Sequence, residues 1–118
     1  VTQVAAIAAM EGTQEPVDAM CEAFDRRRKV IHAGLNDIPG ISCVMPKGAF
    51  YAFPNVSELG IDTRELEHAL LNEGGVACLS GTSFGSFGEG YMRFSYANSE
   101  ENIIEGLGRV KRWLEGRS

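Results

Sequence analysis

The chain has only 2 histidines and 3 cysteines among its 118 residues. It also has no apolar run long enough to cross a membrane. Cys21, Cys43 and Cys78 form no C-x-x-C pair and no histidine stands at ligand spacing from them, which argues against structural zinc. They read instead as three buried thiols of a reducing cytoplasm. Positive charge is scarce as well: 11 Lys and Arg against 16 Asp and Glu leave a net −5. No basic surface remains to neutralise phosphates, so neither nucleic acid nor a membrane is expected as a partner. The one basic run, Arg26-Arg27-Arg28-Lys29, follows Glu22 and Asp25 closely and reads as a solvated helix face. No signal peptide opens the chain, and Val1 begins in mid-pattern without an initiating methionine, as a fragment would. Hydrophobic residues make up 44%, enough for one core but not for two.

The pattern that is present alternates helices and strands. "VTQVAAIAAMEG" reads as a short alanine-rich helix ended by Gly12. Pro16 opens a longer helix whose stripe is Val17, Met20, Cys21, Phe24, Ile31 and Leu35. Arg28 interrupts that stripe, either as a stem snorkelling at the core edge or as a polar contact across a domain boundary. Pro39 and Gly40 stop the helix. "ISCVM" and "AFYAF", separated by the turn "PKG", predict a hairpin, with Phe50 and Phe53 as packing. A third helix follows, N-capped by Asp62, buried through Leu66, Ala69 and Leu70, and closed by Gly74. "VACLS" predicts another strand, and the glycine loop "GTSFGSFGEG" leads into a last one. Ser99 caps a final helix with Ile103, Leu107, Val110 and Leu114 inward. The fold class is α+β: a small mixed or antiparallel sheet covered on one face by helices, after a long helix.

Chemistry is sparse. The glycines at 81, 85, 88 and 90 enter a strand rather than a helix N-terminus and lack a following Lys-Ser/Thr, so they make a poor phosphate cradle. His32 and His68 sit on helices with no nucleophile nearby, and the carboxylates are dispersed. Arg93 is the exception. In "GYMRFSYANSEE" alternation puts Tyr91, Arg93 and Ser95 on one face and Met92, Phe94 and Tyr96 on the other. A guanidinium on such a strand needs an anion, either a carboxylate of the protein or one from a small ligand. Its planar fork suits bidentate capture of a carboxylate.

"TQVAAIAAMEG", "PKGAFYAFP" and "GTSFGSFGEGYMRFSYANSEENI" together make nearly the whole chain resemble the C-terminal part of fold-type I, pyridoxal-phosphate-dependent aminotransferases. The resemblance is to the aspartate aminotransferase-like class I/II group. It implies that residues 16–118 are the small domain with its long connecting helix, and that 1–15 belong to or link to the large domain. It implies that Arg93 grips the α-carboxylate of an amino acid or 2-oxo acid, with Phe84 and Tyr51 lining the closed site. Ser80 departs from the family, where proline is common before G-x-x-F. The Schiff-base lysine of the family, usually after serine, has no match in Lys29, Lys47 or Lys111. The expectation is therefore a cytoplasmic, homodimeric enzyme that uses pyridoxal phosphate, of which this piece holds no cofactor and is inactive alone. Aspartate is the default substrate; alanine, aromatic acids or a lyase reaction stay open. So do a stand-alone carboxylate-binding or regulatory module, and a purely structural interface.

Overall fold

In a computed structural model that describes residues 1–117, there are four helices and a three-stranded antiparallel sheet; the second, third and fourth helices contribute buried residues to the core while the first contributes none. Helix α1 spans Thr2–Glu11, and α2, Glu15–Asn36, starts with Pro16 in its first turn, where a missing N–H costs nothing. Helix α3, Thr63–Asn72, begins where Asp62 accepts from the backbone N–H groups of Arg64 at 2.9 Å and Glu65 at 3.1 Å. Helix α4, Glu100–Glu115, begins where Ser99 accepts from the Asn102 N–H at 3.2 Å. Both caps fall where the sequence puts them, because each is a local bond between a short side chain and nearby backbone.

Strand β3, Met92–Ser95, lies at the centre of the sheet. β1, Tyr51–Ala52, pairs with it as Tyr51↔Ser95, and β2, Leu79–Ser80, as Leu79↔Arg93. Its inward side chains Met92 and Phe94, followed by Tyr96, are all buried, and they meet Ile31, Leu35, Leu66, Leu70, Ile103 and Val110. Each fully buried Leu is worth roughly 1.5–3 kcal/mol of hydrophobic stabilisation. Helix α4 crosses α2, where a methyl on Gly34 would meet the Leu107 side chain.

Several expectations are corrected. "ISCVM" is not a strand: only Ser42 bridges, antiparallel, to Asn55, so the hairpin reduces to one bridge. "VACLS" pairs at Leu79–Ser80 alone, and the glycine loop folds into two short 3-10 turns, Gly81–Phe84 and Ser86–Gly88. Helix α3 gives way at Glu73, and the left-handed residue beyond it is Gly75 rather than Gly74. On α2 the stripe is buried only at Ile31 and Leu35; Val17, Met20 and Cys21 are exposed, so just two of the three thiols are in the core. Phe50 and Phe53 face out, and Ala52 between them is the residue that packs. Arg28 is half-buried, and its guanidinium donates to Asp25 at 3.0 Å and to the Pro46 carbonyl at 2.9 Å, tying α2 to the turn before β1.

Candidate functional site

The helices leave one face of the sheet open, and alternation decides what stands on it. Tyr51, Leu79, Arg93 and Ser95 are paired neighbours on that side, while Ala52, Ser80, Met92 and Phe94 point into the core. The Arg93 guanidinium lies between two aromatic rings, 4.3 Å from the Tyr51 centroid and 4.4 Å from that of Phe84. The three residues singled out in the sequence are thus brought together, although they come from β1, β3 and the first 3-10 turn.

A second aromatic layer, which the sequence did not single out as part of a site, supports the first. Phe53 stacks on Tyr91 with centroids 5.4 Å apart, and Phe84 sets an edge against Phe53 at 6.4 Å. Phe50 packs on Tyr51 at 4.5 Å. The available signal was spacing: Phe53 lies two residues after Tyr51, and Tyr91 two before Arg93.

Arg26, Arg28, Arg64, Arg109, Arg112 and Arg117 each meet a carboxylate within 4.0 Å. Arg27 and Arg93 do not; Arg27 lies on helix α2 over the Phe24 ring at 5.2 Å, whereas Arg93 stands on the open sheet face beside two rings. Among the described residues the Arg93 side chain has no such partner and makes no hydrogen bond; its guanidinium carbon lies over the rings of Tyr51 and Phe84 instead. Cation–π contact uses none of its N–H donors, and those are the groups that bind a carboxylate in fork geometry. The arrangement is open. Two grooves lie elsewhere, of about 350 Å³ between α4 and Phe94–Ser95 and about 590 Å³ beside Ile38–Gly40, and Arg93 lines neither.

The turn that carries Phe84 is shaped by close backbone approach. A methyl on Gly81 or on Gly88 would overlap the carbonyl of the other, so the two turns can stack only with glycine at both positions. Ser80 precedes them, wholly buried, accepting from the Thr82 N–H at 3.3 Å.

Neither histidine joins this face, and His68 is exposed. The lysines lie on the surface: Lys29 pairs with Asp25 at 2.6 Å, Lys111 with Asp37 at 2.9 Å, and Lys47 stands in the exposed turn before β1. Burial pushes the Cys43 thiol up, and burial with the nearby Glu67 charge pushes Cys78 up to about 12, so neither is a thiolate at neutral pH. No cluster among the described residues could hold a metal ion, and no described helix is long and apolar enough to span a membrane.

The fold has its counterparts among the transaminases. An alanine aminotransferase from Pyrococcus furiosus superposes with a TM-score of 0.93 at 32% identity, over 98% of this chain and 30% of that one. An aspartate aminotransferase from Thermus thermophilus, solved with maleate, gives a TM-score of 0.79 at 37% identity, over 92% of this chain and 27% of that one. The aspartate aminotransferase of Pyrococcus horikoshii is 41% identical over 116 residues, 97% of this chain and 30% of its own length. The family model for aminotransferase class I and II matches residues 1–110. This chain belongs to that family, and it spans about 30% of the length of these relatives.

Proposed function

We propose that this chain is the small-domain segment of a pyridoxal-phosphate-dependent aminotransferase, and that Arg93 holds the α-carboxylate of the amino acid or 2-oxo acid. Residues 16–118 form that domain, and 1–15 join it to the large one. The observation that carries the reading is the Arg93 guanidinium on the open sheet face, beside two aromatic rings and without an anionic partner among the described residues. The Thermus relative was solved with maleate, a dicarboxylate, which is the chemistry such a fork takes.

In this reading Arg93 makes two parallel N–H···O bonds to the carboxylate and so fixes the orientation of the substrate's α-carbon. Tyr51 and Phe84 keep the guanidinium in one plane and shed water from it, which strengthens the ion pair. Pyridoxal phosphate, when bound, supplies the electron sink for breaking the Cα–H bond. The three lysines, paired or in an open turn, offer it no Schiff-base anchor here. The cofactor therefore belongs to the part of the enzyme outside this segment, and this segment alone is inactive. Helix α1 fits that division, since Val4, Ile7 and Met10 stand exposed on a helix with no buried residue. Three free cysteines fit a reducing cytoplasm, and a homodimer is the assembly we assign. Aspartate is the substrate we favour, because the Pyrococcus horikoshii and Thermus relatives carry that name, with alanine next after the Pyrococcus furiosus one.

The test is Arg93→Lys in the full-length enzyme. Lysine keeps the charge but loses one arm of the fork, a charged hydrogen bond worth about 1.5–3 kcal/mol, or roughly 10- to 150-fold in kcat/KM. KM is expected to rise and kcat to fall, since orientation is lost along with affinity. An unchanged kcat/KM for α-carboxylate substrates overturns the proposal.

A further inference from the structure

Thr63 and Ser80 are the buried polar residues of the core, at 4% and 0% exposure, and they are bonded to each other. Their hydroxyls lie 2.7 Å apart, and Ser80 Oγ is also 2.8 Å from Thr82 Oγ1. The Ser80 N–H donates to Glu67 Oε2 at 2.8 Å. Arg64 Nε donates to Thr82 Oγ1 at 3.1 Å, and another nitrogen of the same guanidinium stands 4.0 Å from Glu67. The result is a ring of polar contacts that ties the first two turns of α3 to the 3-10 turn bearing Phe84. Across the sheet Ser80 pairs with Met92, the residue next to Arg93.

Burial does not explain where the Phe84 ring lies, because half of the residue is exposed. Its stacking over Arg93 is inherited from the turn, and the turn is fixed at Ser80 and Thr82. Proline at position 80 would accept the φ of −59° found there. It has neither the N–H that Glu67 accepts from nor the hydroxyl that Thr63 and Thr82 meet. Serine therefore adds a side-chain and backbone anchor that proline cannot make.

We propose that Ser80 is a positioning residue: through Thr63, Thr82 and Glu67 it sets the Phe84 ring on the Arg93 guanidinium, and so sets how firmly a substrate carboxylate is held. The inference rests on the carboxylate role of Arg93 proposed above. Ser80 touches neither substrate nor cofactor in this scheme; it acts through Phe84.

The experiment is a double-mutant cycle in the full-length enzyme, with Ser80→Pro, Ser80→Ala, Phe84→Leu and the two doubles, assayed with aspartate and a 2-oxo acid. Ser80→Pro is expected to raise KM about 2- to 5-fold, the worth of one exposed cation–π contact, with kcat changed less than about twofold. The cofactor's visible absorbance stays the same. Ser80→Ala, which keeps the N–H, gives a smaller rise, and in the Phe84→Leu background either change adds almost nothing. Increases that multiply in the doubles, or an unchanged KM in both Ser80 variants, overturn the proposal. If Arg93→Lys itself leaves KM unchanged, the underlying carboxylate reading falls. If Arg93→Lys raises KM and the Ser80 variants do not, the positioning role alone falls.

Discussion

Ala49→Gly is expected to stabilise the protein, the reverse of the usual sign for that change. Ala49 is the non-glycine residue with a positive φ, 58°, among those described. An L-residue in that left-handed conformation carries a penalty of about 1–2 kcal/mol. The conformation persists because it is held from behind: the phenol of Tyr96 donates to the Ala49 carbonyl at 2.9 Å, and the Tyr96 N–H to the Phe50 carbonyl at 2.9 Å. Burial pushes the Tyr96 hydroxyl above its ordinary value, only partly countered by Arg28, so it stays a donor through neutral pH. Glycine removes the left-handed penalty and brings back about 0.5–1 kcal/mol of chain entropy lost on folding. The net gain is roughly 1 kcal/mol, and at an ordinary site the same change would lose about that much. Urea unfolding reads the difference as a midpoint raised by about 0.5 M, given a slope of about 1–3 kcal/mol/M. A midpoint that falls would refute the claim that strain is stored at Ala49. Because Tyr51 follows two residues later, the strain lies in the segment that delivers one ring to Arg93.

The thiols should separate cleanly by location. At about pH 8 a maleimide is expected to label Cys21 quickly and to reach Cys43 and Cys78 only in denaturant, since both are buried and raised above the usual thiol range; three fast thiols would contradict the core assignment. Acid should weaken α2 by breaking the ion pairs that Asp25 makes along it with Arg28 and Lys29. Bonds from Lys29 and then Arg28 hold the Asp25 carboxyl below its ordinary 3.8, so its contribution is complete above that value and is lost as pH falls through the lower folded one. Asp25→Asn is expected to melt earlier than the parent at neutral pH and to converge with it near pH 2. A gap that stays constant with pH would show that the ion pair is not its source.

What the sequence disclosed divides along the range of the interactions involved. The inward and outward sets of β3 were legible because alternation is a property of one strand, and it placed Arg93 on the outer face opposite Met92, Phe94 and Tyr96. Asp62 and Ser99 were legible as caps for the same local reason. The "ISCVM" segment was misread because β-branched residues signal a fit to a pleated surface, not the presence of a partner, and only Ser42 finds one. Phe50 and Phe53 were assigned to packing on hydrophobicity alone, yet register with β3 turns Phe53 outward beside Tyr91. The stripe on α2 gave the correct side of the helix but not what covers each turn of it. Nothing near Ser80 in sequence announced Thr63 or Glu67, which reach it from 17 and 13 residues away.

Helix α2 has a mechanical consequence. It holds 22 residues, which makes it a rod about 33 Å long at 1.5 Å per residue, within a molecule whose longest dimension is 55 Å. Phe24 touches both Phe50 and Tyr96, so the base of the Tyr51 strand rides on the rod about 15 Å from its first turn. A pivot of about 10° in the short elbow between α1 and α2 would sweep that point through about 2.5 Å, by arc length on the same rise per residue. That is close to the whole length of a hydrogen bond. If Arg93 holds a carboxylate as proposed, a pivot of that size at the elbow is large enough to decide whether the fork meets its anion or misses it.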